Sequence, residues 1–350
     1  MTYQDFLSVP PNCTFEENDW RLLAQHWYPV AAAADVAQAP VKATLLDEPL
    51  VLYRVEGALV VARDVCPHRG VPLSMGENDG AGVVCPYHGL RFGQGGRCNR
   101  IPASPGQAVP AKMHLRAYAA TERYGLIWVC LAQRAEALPG LDPDIPAMPH
   151  WDDPQFQQIL CPAFEVEAFA GRQVEGFIDV AHFAWVHTDT FADPGNAEVP
   201  PYSTRPIDKG FEANYYSTVG NYPIGVDGHA PEGFVWHRQF RVHLPFTATL
   251  SIQFPDDARL VIMNAASPVS ARKTRMFAPI ARNFDKELPI ADVHAFNLMV
   301  FEEDRALVEA QKPENLPLDP ALEAHIPADM SSIAYRRGLR ALGISSFFLS

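Results

Sequence analysis

The sequence predicts an α+β protein of two domains, and three of its stretches carry that prediction. From Ala43 to Arg134, short strand-like runs are separated by Gly and Pro clusters, the mark of a small all-β sandwich or barrel. From Leu138 to Pro154, five prolines fall in seventeen residues, a density that continues neither helix nor sheet. From Thr249 to Phe254, polar Thr249, Ser251 and Gln253 alternate with Leu250, Ile252 and Phe254, the period-2 sign of a half-buried antiparallel strand.

Taken in order, Leu50–Val55, Ala58–Asp64, Arg116–Thr121 and Gly125–Leu131 are expected strands of an all-β domain at 1–150, with its core at about 20–135 and a Pro-rich linker at 138–154. The second domain, 151–350, opens with a helical pattern over Gly171–His187, followed by the proline-broken stretch Ala192–Asp208. A strand block then runs from Phe234 to Arg275. A long helix at about Ile290–Gln311 and a shorter basic one near Ser332–Leu342 complete it. An antiparallel sheet with helices on one side is the α+β arrangement.

A chain of 350 residues suits two domains, and 48% hydrophobic with 20% charged residues is ordinary for a globular protein with a full core. A formal charge of −13 and a pI near 5.3 argue against nucleic acid or an anionic membrane as partner. Met1–Cys13 holds no basic stretch followed by an apolar run, and the alanine-rich Pro29–Val41 is too short to cross a bilayer, so a cytoplasmic protein is expected. Six cysteines in this length do not make a disulfide scaffold. Two of them, Cys66 and Cys85, sit in near-duplicate contexts. Cys13, Cys98, Cys130 and Cys161 do not, and are read as structural or incidental.

Those contexts are Cys66-Pro-His68-Arg-Gly70 and Cys85-Pro-Tyr-His88-Gly89. Each presents one thiol and one imidazole from a tight turn stiffened by Pro and closed by Gly. In a Rieske [2Fe–2S] centre two cysteines hold one iron and two histidines the other, which raises the reduction potential above that of an all-cysteine cluster. The competing reading is a structural zinc site. Zinc sites usually pair Cys with Cys and His with His, whereas here each finger is mixed.

A second set of metal-capable residues lies in Glu175-Gly-Phe-Ile-Asp179-Val-Ala-His182-Phe-Ala-Trp-Val-His187. On one helix Glu175, Asp179 and His182 would share a stripe, while His187 would stand about 140° round from His182. Both histidines reach one metal only if the helix bulges or ends near Trp185. Two histidines and a carboxylate with open positions form the facial triad of non-haem Fe(II) oxygenases. The carboxylate would come from Glu302-Glu303-Asp304 in the long helix. Taken alone, a histidine pair on a helix and an acidic run are more ordinary as core and solvated face.

With both constellations in one chain, the sequence resembles the terminal oxygenase (α) subunits of the Rieske non-haem iron oxygenases. In style it is similar to vanillate and dicamba O-demethylases and especially to methylxanthine (caffeine) N-demethylases. The resemblance spans nearly the whole chain: Leu23–Val30, both fingers, Glu122–Trp128, the His182 helix, Phe191–Glu198 and Val300–Asp304. It implies a Rieske β-domain followed by a helix-grip catalytic domain. It implies Cys66, His68, Cys85 and His88 as cluster ligands, and His182, His187 and Asp304 as ligands of a mononuclear iron. It implies that Asp179 bridges an iron-ligand histidine to a cluster histidine of a neighbouring subunit in a homotrimer. One departure is Gly176, where many members carry Asn.

The function implied is a monooxygenase that uses O2 to demethylate or hydroxylate a small aromatic or heterocyclic substrate, as in aromatic catabolism. Ring hydroxylation or dihydroxylation is the alternative, and a Rieske electron carrier with a ligand-binding domain is the remote one. No G-x-G-x-x-G follows a strand, so electrons are expected from a separate reductase or ferredoxin. Phe177, Phe183, Val186, Phe254, Asn297 and Phe301 are candidate pocket residues, mostly by nearness in sequence to the ligands, with plain core as the competing reading.

Overall fold

The computed structural model describes residues 8–135, 143–192, 194–218, 220 and 230–345, so the first part of the expected linker, 138–142, and Asp193 lie outside it. The chain divides into two units, Met1–Ile145 and Pro146–Ser350.

The first unit is almost wholly antiparallel sheet. After a short helix α1 (Glu17–Leu23), ten strands follow: β1 (Tyr28–Ala32), β2 (Val41–Leu45), β3 (Glu48–Val55), β4 (Ala58–Arg63), β5 (Glu77–Asn78), β6 (Val83–Val84), β7 (Arg91–Phe92), β8 (Cys98–Arg100), β9 (Ala117–Arg123) and β10 (Leu126–Arg134). One sheet has the order β1-β10-β9-β4-β3-β2, and the short strands form a second, β5-β6-β7-β8. Two-residue turns at Leu46–Asp47, Glu56–Gly57 and Tyr124–Gly125 join neighbouring strands, with positive φ at both positions. That backbone matches the twist of the strands it connects and fixes their register. Val51, Tyr53, Val60, Leu73, Leu90 and Phe92 form a core into which Cys66 and Cys85 are also buried. Each such apolar side chain taken from water contributes roughly 1.5–3 kcal/mol.

The second unit combines one sheet with helices. Its strands are β11 (Gln157–Leu160), β12 (Phe164–Val166), β13 (Ser203–Ile207), β14 (Gly210–Ser217), β15 (Trp236–His243), β16 (Thr247–Gln253), β17 (Arg259–Ser270), β18 (Lys273–Phe277) and β19 (Pro279–Arg282). They run β11-β19-β17-β16-β15-β14-β13, with β18 pairing β12 and β17. The helices are α2 (Ala170–Ile178), α3 (Phe183–Val186), α4 (Ile290–Ala310) and α5 (Met330–Ala341). Along β15, Trp236, Arg238, Phe240 and Val242 are buried while the residues between them are not, the alternation a one-sided sheet requires. Phe301 and Val293 of α4 pack on Ile159, Met276 and Ile280 of the sheet region. The first unit is the expected all-β domain and the second the expected antiparallel sheet with helices, which together make the α+β class.

Three elements differ from expectation. Gly171–His187 is not one helix: α2 stops at Ile178, and Asp179 takes an extended backbone with ψ 130°. Its side chain accepts a bond of 2.8 Å from the Ala181 backbone N–H, a local turn that competes with helix. The stretch Ala192–Asp208 contains β13, whose Pro206 is tolerated because β13 ends the sheet order and its outer side needs no ladder donor. Thr249, expected on the solvent side of β16, is 1% exposed, while Leu250, Ile252 and Phe254 are buried as expected.

Candidate metal centres

In the first unit the two fingers close by the same rule. The Cys66 N–H donates to the Val71 carbonyl and the Gly70 N–H returns to the Cys66 carbonyl, at 2.9 and 2.8 Å; Cys85, Leu90 and Gly89 repeat the pattern at 2.8 and 3.0 Å. The closure needs a left-handed residue at its end, and Gly70 (φ 76°) and Gly89 (φ 69°) supply it. The result places two buried free thiols beneath two imidazoles whose ring centres are 4.5 Å apart. Burial pushes the Cys66 thiol up to about 11, with the Cys85 thiol beside it adding to the rise. His68 Nδ1 is buried without a hydrogen-bond partner. Two buried thiols and an orphaned imidazole nitrogen are a donor set that fits a mixed-ligand [2Fe–2S] cluster.

In the second unit the break at Asp179 and the end of α3 at Val186 solve the spacing problem. His182 starts α3 and His187 leaves it, with φ −95° and ψ 31°, so the two rings turn toward one point. Their Nε2 atoms stand 3.1 Å apart, and Oδ1 of Asp304, from α4, lies 3.3 Å from each. A triangle with these edges is the face of an octahedron with bonds of about 2.2–2.3 Å, the facial arrangement that two histidines and a carboxylate offer Fe(II). The outer ring nitrogens are occupied: His187 Nδ1 donates to Glu303 Oε2 at 2.8 Å, and His182 Nδ1 faces Asp179 Oδ2 at 3.5 Å. With a metal bound between them, both histidines would present a bare Nε2 inward. Burial draws the pKa of His182 down, but the Asp179 and Asp304 carboxylates outweigh it and raise it to about 9. Two imidazoles and a carboxylate crowded this closely fit a cation at their centre.

The acidic run resolves into three different environments. Glu302 pairs with Arg305 on the exposed side, Glu303 meets His187, and Asp304 joins the triangle. Glu175, expected on one stripe with Asp179 and His182, instead turns to Arg336 and Arg172. At Gly176 a Cβ would come within 3.2 Å of Val308 Cγ2 on α4. The missing side chain permits the close approach of α2 to the helix that carries Asp304.

Beside the triangle is a cavity of about 90 Å³. Of the candidate pocket residues, Phe177, Phe183, Asn297 and Phe301 line it, and Val186 and Phe254 do not. Phe254 packs edge-on against Trp236, 4.9 Å between ring centres. Phe191, Phe296, Val300 and the aliphatic Leu250, Ile252, Leu260 and Ile262 complete the wall, and nearness in sequence could not reveal most of them. The Asn297 amide N–H donates to the Val293 carbonyl at 2.8 Å, which leaves its side-chain oxygen as an acceptor.

Comparison with known proteins identifies both halves. The Rieske [2Fe–2S] domain family matches residues 26–118, and the vanillate O-demethylase oxygenase C-terminal domain matches 166–343. The chain belongs to the Rieske oxygenase family. Methylxanthine N1-demethylase NdmA of Pseudomonas putida is 32% identical over 336 residues, 93% of this chain and 91% of that protein. A vanillate O-demethylase oxygenase subunit from a Pseudomonas species is 31% identical over 180 residues, 51% of this chain and 49% of that one. The solved structure of Pseudomonas putida NdmA with caffeine superposes with a TM-score of 0.79 at 30% identity, covering 92% of each chain. This Rieske oxygenase is therefore a terminal oxygenase component, an oxidoreductase that depends on a separate reductase. Residues 26–118 form a Rieske domain, and the oxygenase family uses a mononuclear iron. Among the described residues no helix is long and apolar enough to cross a membrane.

Proposed function

We propose that this Rieske oxygenase demethylates a small, flat, neutral N-methyl or O-methyl aromatic or heterocyclic compound. The observation that carries the reading is the triangle of His182, His187 and Asp304 opening onto a phenylalanine-lined cavity with one amide, that of Asn297. In this reading Cys66, His68, Cys85 and His88 hold the [2Fe–2S] cluster, in a domain at 1–150, and His182, His187 and Asp304 hold the iron, in a domain at 151–350. When bound, the iron supplies O2 activation, with electrons arriving through the cluster.

The chain's own residues do the rest. Phe177, Phe183 and Phe301 exclude water and hold an aromatic ring, and the Asn297 oxygen accepts a hydrogen bond that orients it. Apart from the metal-facing residues, the described lining is uncharged, so a ring without a carboxylate is favoured, as in the caffeine of the solved relative. A methyl group hydroxylated here becomes a hemiaminal or hemiacetal, which releases formaldehyde.

Asp179 is proposed to link His182 to a cluster histidine of a neighbouring copy in a homotrimer. The supporting observation is exposure: Asp179 is part-exposed and Trp185, on the following helix, is 66% exposed, while in the other unit His88 is exposed and Tyr87 is 62% exposed. Residence in the cytoplasm, where thiols stay reduced, is supported by the four cysteines outside the proposed cluster, Cys13, Cys98, Cys130 and Cys161, all of them free. The test is a screen of N-methyl and methoxy aromatics with a surrogate reductase, NAD(P)H and O2. Formaldehyde in proportion to O2 consumed is expected. Productive substrates that yield cis-diols or ring-hydroxylated products without formaldehyde would overturn the demethylase reading.

A further inference from the structure

The two histidines of the triangle are held unequally from behind. Behind His182 stands Asp179, 3.5 Å away and nearly a third exposed. Behind His187, itself 2% exposed, stands Glu303 at 2.8 Å, and that same oxygen accepts a second bond of 2.8 Å from the Thr190 hydroxyl. The other oxygen of Glu303, Oε1, is buried with no hydrogen-bond partner. Leaving a buried carboxylate oxygen unpaired is costly, so nothing at Oε1 explains the position of Glu303. The two bonds converging on Oε2 explain it. A carboxylate accepts only, so the proton lies on His187 Nδ1 and Nε2 is left bare for a metal.

Glu303 and Asp304 are consecutive on α4, and they grip opposite nitrogens of the same ring. His187 cannot rotate without breaking contact with one helix at two points. We propose that Glu303, itself fixed by Thr190, is the positioning residue that anchors the iron through His187, and that metal retention depends on it far more than on Asp179. The inference rests on the iron assignment proposed above. In it His187 is the fixed ligand, and the looser His182–Asp179 pair remains free to respond to a neighbour.

The test uses the full-length protein with its cluster intact, depleted of mononuclear iron and titrated with Co(II), whose visible bands and affinity report the site without turnover. Glu303→Gln is expected to weaken Co(II) binding about 10- to 100-fold and to move the bands. Thr190→Val is expected to weaken it about 2- to 10-fold, the worth of one hydrogen bond. Asp179→Asn is expected to stay within about threefold of the parent, because its bond is longer and wetter. Co(II) affinity and bands unchanged in Glu303→Gln, or equal losses in Asp179→Asn, overturn the proposal. If Glu303→Gln does not accumulate with a normal cluster spectrum, Thr190→Val decides, and parent-like affinity there overturns it. Failure of the iron assignment looks different: the parent itself then binds no Co(II), or His182→Ala binds it as tightly.

Discussion

Glu175 and Arg336 form a two-pronged ion pair, Oε1 to Nε at 2.6 Å and Oε2 to Nη2 at 2.9 Å, with both side chains less than a tenth exposed. Glu323 and Arg172 extend it, so helix α5 near the C-terminus is tied to α2, the helix that leads into the metal site. Breaking a buried pair from one side strands the other charge. Arg336→Met should therefore cost about 3–5 kcal/mol, a fall of about 10 °C in the melting temperature of a domain this size. The double variant Glu175→Gln/Arg336→Met should recover part of the loss, and thermal melts of the set measure it. A double variant no better than the sum of the singles would mean that the pair is not coupled.

The two proposed metal centres lie in separate units, so they should be lost separately. Cys85→Ala should be colourless and lack the EPR signal of a reduced mixed-ligand cluster, yet retain mononuclear iron. Asp304→Ala should do the reverse. Metal analysis with labile sulfide settles both, and tightly bound zinc without sulfide in the parent would refute the cluster assignment.

Asp179→Asn keeps the shape of the side chain and removes its charge beside His182. The variant should assemble and its cluster should reduce normally, while single-turnover electron transfer to the iron slows by at least about tenfold. Rapid-mixing absorption of the cluster follows it directly. Transfer at the parental rate would show that this aspartate carries no bridge.

Gly176→Asn adds a side chain whose Cβ meets Val308 Cγ2 at 3.2 Å. Forcing α2 from α4 should destabilise the protein by about 1–3 kcal/mol. Val308→Ala in the same chain should relieve it. A stable Gly176→Asn single variant would show that α4 yields at no cost.

The parts of this protein legible in the sequence are those whose chemistry is local. Each finger is a contiguous turn, so Cys66 with His68 and Cys85 with His88 announce themselves by spacing. The α+β class follows from strand periodicity and one long helix. What stayed hidden depends on direction in space. Glu302, Glu303 and Asp304 are alike in composition, and only the facing of α4 separates a surface ion pair, a tether and a triangle corner. The break at Asp179 lay inside an apolar run that reads as unbroken helix, and its cause is a side-chain bond that periodicity does not register. Leu250, Ile252, Leu260 and Ile262 reach the cavity from strands far along the chain, whereas Phe254, the candidate chosen from the same run as Leu250 and Ile252, packs on Trp236.

Phe296, Asn297, Val300, Phe301 and Asp304 all face the cavity from α4. One rigid rod therefore carries both the group that would grip the substrate and a corner of the proposed iron site. Seven residues separate Asn297 from Asp304, a rise of about 10 Å along the axis. The helix works as a ruler: in the proposed reaction, compounds that differ only in where the methyl sits on the ring are sorted by distance rather than by affinity. New regiochemistry would then come from moving the gripping residue by a turn, with the metal end of the rod left untouched.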